Sequence, residues 1–125
     1  MDIKAQNVTD YHGNNAIFMV WNFKKDLDFK AAFKRICKLV INLDNSAYVR
    51  FPDSGASCVM GIGYNAWSDL HLPIPMPKEL ENFAPIVGEK HTAVSTKGDL
   101  HFHIRGDSSS VCYDLTHAVS DVLEP

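Results

Sequence analysis

The stretch that decides the fold is Asp99-Leu-His-Phe-His-Ile-Arg105, in which apolar and polar side chains alternate. Alternation with a period of two is typical of a β-strand with one buried face. Gly106-Asp-Ser108 follows and predicts the start of an amphipathic helix, because the apolar residues beyond it recur at helical spacing. These residues are Val111, Cys112, Leu115, Ala118, Val119, Val122 and Leu123. Residues 99–123 therefore predict a strand followed at once by a helix.

A similar unit lies near the start of the chain. Asn15–Phe23 is a dense apolar run rich in aromatic and branched residues, which favours a buried strand. Asp26 is then expected to cap a helix, whose apolar face has steps of four and three residues. That face consists of Phe29, Phe33, Ile36, Val40 and Leu43. Asp44-Asn-Ser46 is expected to end the helix, and Ala47–Phe51 is expected to be extended.

Between these two units lie one further strand and a long connection. Ala56–Ile62 predicts the strand, and Gly63–Leu70 predicts a helical turn or short helix. Residues 73–98 contain four prolines and are expected to be irregular, with one short helix over Lys78–Phe83. A connection of this length inside a compact domain is usually functional or forms an interface.

The predicted order is strand, helix, strand, long connection, strand, helix. This is a ferredoxin-like β-α-β-β-α-β unit without its final strand. The predicted fold class is therefore α+β, with an antiparallel sheet, helices on one face and the final strand missing. In this topology the final strand pairs beside the first, so the open edge of Ala16–Phe23 is expected to be covered. The candidates for covering it are a neighbouring chain, residues 1–13 or the proline-rich connection.

The composition is that of a single globular domain. The chain has 125 residues, of which 46% are apolar and 22% charged, and it is interpreted as a flexible tail over residues 1–14 and one domain over residues 15–125. Its 12 basic and 15 acidic residues give a net charge of −3, so neither nucleic acid nor a membrane is expected as a partner. Cys37, Cys58 and Cys112 form no CxxC pair and indicate buried thiols in a reducing compartment. With no recognisable targeting or membrane-spanning segment, a cytoplasmic location is expected.

One glycine motif fits the spacing of a dinucleotide-binding loop. Gly61-Ile-Gly63-Tyr-Asn-Ala66 follows a predicted strand and opens a possible helix, as a pyrophosphate site requires. Such a site also needs an acidic residue about 20 positions on, at the end of a second parallel strand. Glu79 and Glu81 lie in a proline-rich stretch instead. The favoured interpretation is that small residues are needed for a tight exit from the strand.

Two sets of histidines are candidates for metal or proton chemistry. His101 and His103 lie two apart on a predicted strand and so share a face, but a zinc site would need a third ligand, for which His91 is the nearest candidate. A solvated or interface face is the favoured interpretation. Asp114 and His117 are three apart on the last helix and are favoured as an exposed polar pair rather than a proton-handling pair.

The remaining candidates have simpler structural interpretations. Ser108-Ser-Ser110 is better explained as helix capping than as a nucleophile. Trp21, Trp67 and Phe83 are interpreted as core or interface aromatics rather than a stacking platform. No catalytic, cofactor-binding or metal-binding residue is therefore predicted in this chain.

Taken together, four segments resemble the N-terminal half of dye-decolorizing (DyP-type) haem peroxidases, and most of all the bacterial group of porphyrinogen peroxidase-like and melanin-biosynthesis proteins. The segments are Ser57–Gly63, Asn65-Ala-Trp67, Pro77–Leu80 with Phe83, and Gly98–Arg105 followed by an amphipathic helix. The resemblance covers residues 15–123. It implies two ferredoxin-like domains, haem b, and the oxidation of dyes, phenols or porphyrin-like substrates by hydrogen peroxide. The implied partners are a C-terminal haem domain of the same protein and further copies in a homo-oligomer.

The resemblance also implies that the haem site is built mainly from the second domain. That domain carries a Gly-x-x-Asp-Gly motif with the distal Asp, a distal Arg and the proximal His. None of the seven glycines of this chain begins such a motif. No catalytic residue is therefore carried over, and the 125-residue chain alone is expected to be inactive and to bind no haem.

Two alternatives remain open. The chain is alternatively a stand-alone ferredoxin-like module that binds a ligand or assembles, dimerising through the edge of its sheet. A third interpretation is a nucleotide-binding protein that uses Gly61 to Ala66.

Overall fold

A computed structural model describes residues 5–11 and 13–124. Strands and helices follow one another along the chain, and the main sheet contains three of the strands. The elements are β1 (Asn15–Trp21), α1 (Phe29–Arg50), β2 (Ser57–Ile62), α2 (Tyr64–Leu70), β3 (Ile86–Val87), β4 (Thr92–Ala93), β5 (Leu100–Gly106) and α3 (Ser109–Leu123). The main sheet is antiparallel with the order β1-β5-β2, and β3 and β4 form a separate hairpin. This is the strand order of a ferredoxin-like unit, so the predicted α+β class is confirmed.

The alternating stretch Asp99–Arg105 forms most of β5, the central strand of the sheet. Leu100, Phe102 and Ile104 of β5 are at most 2% exposed and belong to the core. His101 and His103 lie between them in sequence, so they point to the opposite face. A one-residue slip would exchange the two sets, and the register is therefore fixed by the hydrophobic pattern.

The core lies between one face of the sheet and the helices α1 and α3. From α1 it receives Ile36, Val40 and Ala47, and from α3 it receives four residues of the predicted seven-residue stripe, Val111, Cys112, Leu115 and Val119. The other three, Ala118, Val122 and Leu123, are partly exposed. Both helices contact the sheet and each other, so the helices cover one face and leave the other without helices. Among the described helices, none is both long and apolar enough to cross a bilayer.

Helix α1 begins two residues later than its predicted cap. Asp28, not Asp26, is the N-cap, since its carboxylate accepts a hydrogen bond from the backbone N–H of Ala31 at 3.2 Å. This bond satisfies one of the backbone donors that the first turn of a helix leaves unpaired. The cap predicted at Asp26 was therefore wrong by one half-turn.

The same helix also continues past its predicted end. Asp44-Asn-Ser46 was expected to stop it, but Asp44 Oδ1 accepts a hydrogen bond from the backbone N–H of Cys58 in β2 at 2.8 Å. A side chain engaged by a neighbouring strand does not compete with its own helix backbone. The helix continues to Arg50, and the extended segment predicted over Ala47–Phe51 was wrong.

Strand β1 alternates instead of being buried throughout. Ile17, Met19 and Trp21 face the core, whereas Phe18 and Val20 are 64% and 60% exposed. All five are apolar, so the period of two is invisible in the sequence. The prediction of a fully buried strand reaching Phe23 was therefore wrong.

The long connection contains structure that the sequence pattern did not indicate. The short helix predicted over Lys78–Phe83 is wrong: the chain makes a turn there, closed by a hydrogen bond from Leu80 N–H to the Pro77 carbonyl at 3.1 Å. Six residues flanked by prolines are too few to nucleate a stable helix. Further on, β3 and β4 pair as a hairpin with Val87 opposite Thr92.

The described N-terminal residues lie along the free edge of β2. The side-chain amide of Gln6 donates to the carbonyl of Met60 at 2.9 Å and accepts from the N–H of the same residue at 2.7 Å. In the described part of the chain, no strand pairs with the outer edge of β1. Residues 1–4 and 12 of the predicted flexible tail lie outside the described residues, and the flexibility of residues 1–14 stays a prediction.

Candidate functional site

The face of the main sheet that carries no helix is the candidate functional site, and we call it the open face. The register places three rows of side chains on it. The rows are Ala16–Arg105–Ser57, Phe18–His103–Val59 and Val20–His101–Gly61. The open face therefore combines apolar residues of β1 with the polar residues of β5.

An aromatic stack occupies the middle of the open face. The Phe18 ring lies 4.5 Å from the His103 ring, centroid to centroid, at an interplanar angle of 16°. The ring of His101 is stacked on the same phenyl at 5.9 Å. As predicted, both histidines therefore share one face, and they flank an exposed apolar ring.

One end of the open face is closed by a buried arginine. Arg105 is 3% exposed and donates from Nε to the hydroxyl of Ser57 at 2.9 Å. Its two terminal nitrogens donate to the backbone carbonyls of Val8, at 3.3 Å, and Asn7. The guanidinium thus holds Asn7 and Val8 against the sheet. Its acceptors in these three contacts are a neutral hydroxyl and two neutral carbonyl oxygens.

The other end of the open face borders a cleft of about 630 Å³. Val20, Gly61 and His101 form its floor, and Leu80, Phe83 and Lys97 of the long connection belong to its wall. The connection is tied down by a hydrogen bond from Asn82 to the side-chain oxygen of Asn65 at 3.1 Å. The long connection therefore lies next to the open face, and its role in an interface stays a prediction.

The glycine motif has a steric explanation. A Cβ placed on Gly63 would clash with the carbonyl oxygen of Gly98, and the backbone N–H of Gly63 donates to the Asp99 carbonyl at 2.9 Å. Gly63 is thus required for the close passage of two chain segments. The helix that follows has seven residues, and β2 pairs only with the antiparallel β5. This agrees with the favoured interpretation of a tight strand exit.

The possible third metal ligand is on the hairpin. His91 lies in the turn between β3 and β4, where its carbonyl accepts from Gly88 N–H. Across residues 5–11 and 13–124, no three His, Cys, Asp or Glu side chains gather in a way that could hold a metal ion. His101 and His103 are thus placed together and His91 is not joined to them.

On the last helix, His117 pairs with Asp121 and not with the predicted Asp114. The His117 ring lies 3.5 Å from the carboxylate of Asp121, one turn further on, and both side chains are more than 60% exposed. Asp114 is exposed as well. Ser108 is the N-cap residue, but its hydroxyl contacts the Ser110 hydroxyl at 2.8 Å instead of capping a backbone N–H.

A second cavity lies at the end of the core, away from the open face. It has about 580 Å³ and is lined mainly by apolar side chains of α1, α3 and the end of β1, with Lys24 and Arg35 among them. The indole N–H of Trp21 is buried there without a hydrogen-bond partner in the described residues. Trp21 and Trp67 are half-buried and Phe83 is 55% exposed, and the interface role of these aromatics stays a prediction.

The three thiols are unpaired and protonated at neutral pH. Burial raises the pKa of Cys58 to about 12, with a smaller contribution from the charge of Asp44. Burial also raises the pKa of Cys37 and of Cys112. Because the thiolate is the reactive form, none of the three has the character of a nucleophile.

Sequence analysis missed several residues that build this site. Phe18 and Val20 were hidden in an apolar run, and Arg105 looked like an ordinary basic residue at the end of a strand. Asp99, 5% exposed, was also missed: its carboxylate accepts from the backbone N–H of Phe23 at 2.7 Å and fixes the end of β1. The one available signal was the alternation of residues 99–105, which places Arg105 on the face of the two histidines.

Comparison with known proteins gives a consistent result. The family model for the N-terminal region of Dyp-type peroxidases matches residues 5–124. A dye-decolorizing peroxidase of Rhodococcus erythropolis is 36% identical over 108 residues, which is 86% of this chain and 31% of that protein.

Solved structures agree in fold. The dye-decolorizing peroxidase of Bacteroides thetaiotaomicron superposes with a TM-score of 0.84 and 39% identity, over 95% of this chain and 38% of its own. A variant of DypB from Rhodococcus jostii RHA1, in complex with heme, superposes with a TM-score of 0.78 and 28% identity, over 94% of this chain and 38% of its own. The chain thus spans less than two fifths of the proteins that it matches. It belongs to the Dyp-type peroxidase family, as the counterpart of the family's N-terminal domain.

Proposed function

We propose that this chain is the scaffold half of a haem-dependent peroxidase. In this proposal a second ferredoxin-like domain of the same protein carries the haem and the reacting groups. The support is the family match over residues 5–124 together with the 38% share of the matched structures. The missing Gly-x-x-Asp-Gly motif in the sequence points the same way.

The observation that carries the proposal is the apolar character of the open face. Phe18 and Val20 are 64% and 60% exposed on a face that a lone domain would populate with charged residues. The occupant we propose is the haem-carrying domain, because the relatives devote more than three fifths of their length to other parts of the protein. In this arrangement His101 and His103 supply the hydrogen-bonding groups of an otherwise apolar interface.

The described residues do not fit a haem of their own. A haem needs an enclosed apolar pocket and an axial side chain such as histidine. The apolar cavity of about 580 Å³ has no histidine among its lining residues. The cleft that contains His101 is open to solvent and half polar. We therefore assign no catalytic or haem-binding role to the residues that the structure describes.

A haem titration of the purified 125-residue chain tests this proposal. We expect no stoichiometric Soret shift and no peroxide-dependent oxidation of a dye such as Reactive Blue 19. Albumin is the control for non-specific haem uptake, since an apolar face alone would bind haem weakly and without saturation. Saturable binding with robust turnover would contradict the scaffold role.

The reading frame beyond Pro125 offers an independent test. A Gly-x-x-Asp-Gly motif within a few tens of codons would support the two-domain peroxidase. A stop codon would favour the alternative of a stand-alone module, for which the unpaired outer edge of β1 is the supporting observation. In that alternative the chain dimerises through its sheet edge instead of meeting a haem domain.

We also propose a reducing, cytoplasmic setting for the chain. Its support is the set of three thiols, all of them unpaired. Quantitative thiol labelling of the protein from cell extract under denaturing conditions tests this, and three free thiols per chain are expected.

A further inference from the structure

The cavity of about 580 Å³ lies on the helix-covered side of the sheet and takes no part in the proposed function. We call it the core-end cavity, and its lining comes from residues 21–27, α1, α3 and Leu100 of β5. Its volume lies within the range of roughly 300–1,000 Å³ that is typical of small-molecule sites. A ligand in the core-end cavity therefore has enough room and does not compete for the open face.

Most of the lining of the core-end cavity is hydrocarbon. Ile36 and Leu100, which are 3% and 2% exposed, belong to the core and line the cavity as well. Phe23, Val122 and Leu123 also line it and are partly buried. Because moving apolar surface from water onto such a lining is favourable, the cavity favours a ligand with an apolar body.

Positive charge lies toward the solvent side of the same cavity. Lys24 and Arg35 belong to its lining and are exposed. Across residues 5–11 and 13–124, no carboxylate forms an ion pair with either of them. Glu124 is the acidic residue of the described lining, so the two cations outnumber it. The cavity is therefore apolar toward the core and positive at its mouth, which is the polarity that an amphipathic anion requires.

We infer that the core-end cavity binds an amphipathic monocarboxylate, that is, a hydrocarbon tail with one carboxylate head. The tail packs against Ile36 and Leu100. The carboxylate lies at the mouth near Lys24 and Arg35, where it is attracted by both charges without leaving water completely. This inference rests on the core-end cavity alone and goes beyond the scaffold role.

Titration of the 125-residue chain with decanoate, below the concentration at which decanoate forms micelles, tests the inference. Calorimetry gives the Kd, and the fluorescence of a Trp67→Phe variant reports the location, because Trp21 lines the cavity and Trp67 does not. We expect saturable binding of one decanoate per chain with a changed Trp21 emission. A titration without saturable binding, or saturable binding that leaves the Trp21 emission unchanged, would overturn the inference.

Changes in the ligand test its two halves. The Kd should fall about four-fold for each methylene added between octanoate and decanoate, since each added methylene is buried. Decylammonium has the same tail and the opposite charge, and it should bind roughly a hundred-fold more weakly because two attractions become repulsions. Equal binding of decanoate and decylammonium would contradict the proposed carboxylate position.

Two pairs of neighbouring cations provide matched variants for the head group. Arg35→Glu and Lys24→Glu should each raise the Kd of decanoate about ten-fold, since each reverses a charge at the mouth. Lys34→Glu and Lys25→Glu are the controls, because they change the net charge equally at exposed residues outside the lining. The controls should change the Kd by less than about two-fold. Equal effects within both pairs would mean attraction by net charge alone and would overturn the inference.

Filling the cavity tests the position of the tail. Ala32→Phe places a ring in the core-end cavity and should raise the Kd at least about ten-fold. Ala31→Phe is the control, because Ala31 is exposed and lies outside the lining. Circular dichroism checks that both variants fold, and if Ala32→Phe does not, the charge variants at the mouth decide. Undiminished binding by folded Ala32→Phe, or binding that is lost in Phe18→Ser on the open face, would contradict the inference.

Discussion

Two phenylalanines on neighbouring strands summarise the difference between the two faces of the sheet. Phe102 of β5 points to the helices and is fully buried, whereas Phe18 of β1 points to the open face and is 64% exposed. Both side chains are equally apolar, and only one of them contributes its full burial to the fold. The domain therefore buries the apolar side chains on one face of the sheet and exposes apolar side chains on the other.

The comparison predicts unequal costs for the same truncation. Phe102→Ala should lower the free energy of unfolding by about 3–5 kcal/mol, since it leaves a cavity at the centre of the core. Phe18→Ala should cost less than about 1 kcal/mol, because it removes only the stacking on the two histidines. Urea unfolding of the two variants measures both values. Equal losses of unfolding free energy in Phe102→Ala and Phe18→Ala would contradict the conclusion that only the helix-covered face stabilises the fold.

Arg105 sharpens the comparison, because it belongs to the open face and yet is buried. Arg105→Ala should cost about 2–3 kcal/mol, since the hydroxyl of Ser57 and two backbone carbonyls lose a charged donor. The matched control is Arg50→Ala at the exposed end of α1, where only the contact with the Phe51 ring is lost. Its cost should stay below about 1 kcal/mol. A similar loss of unfolding free energy for both arginine variants would contradict a stabilising role of the Arg105 hydrogen bonds.

A pH dependence on the alkaline side is expected from the helix-covered face. The raised pKa of Cys58 means that the folded chain keeps the thiol proton up to about pH 12, while the unfolded chain loses it near the ordinary thiol pKa of 9.0. The unfolded state thus binds fewer protons between these values, and stability falls as the pH rises through this window. Below pH 9 both states keep the thiol proton, and the thiol does not reduce the free energy of unfolding. Between pH 9 and pH 10 we expect a loss of about 1 kcal/mol.

Unfolding curves at both pH values, for the wild type and for Cys58→Ala, isolate this contribution. The variant lacks the thiol and should lose less stability over the same interval. Parallel losses in the two proteins would show that the thiol titrates normally.

The smallest expected effect concerns the edge of β2. Gln6→Ala should cost about 0.5–1 kcal/mol, because the two hydrogen bonds to Met60 are exposed to water. Hydrogen exchange measures the effect locally, and the Met60 amide should exchange faster in the variant. Gln6→Glu is a useful second variant, since a carboxylate still accepts from that amide but no longer donates to the carbonyl. Unchanged protection in Gln6→Ala would show that the N-terminal segment does not hold this edge.

The sequence predicted correctly those features that depend on residues close together in the chain. The apolar stripe of α3 and the alternation of β5 lie within single elements, and both were predicted correctly. The end of α1 was missed because Asp44 is engaged by Cys58, fourteen residues away, and no local pattern contains that contact. The hairpin was missed because its strands have two residues each, too few for a periodic signal.

The candidate site escaped prediction for a different reason. A strand with apolar side chains on both of its faces looks buried throughout its length, even where one face is exposed. Ala16, Phe18 and Val20 are therefore indistinguishable in sequence from Ile17, Met19 and Trp21. What separates the two sets is the packing of α1 and α3 on one face of the sheet, and the sequence of β1 alone does not show which face they cover.

The amide of Gln6 on Met60 also limits how far sheets of this kind can grow. A β-sheet with two free edges is a bifunctional unit and can polymerise without end, as fibrils do. Because a side chain occupies the β2 edge at Met60, two copies of the main sheet could pair edge to edge only through β1, and that pairing would use up the β1 edge of both copies. Strand pairing between copies would therefore stop at two chains, which would limit the aggregation of an apolar, uncharged strand such as β1.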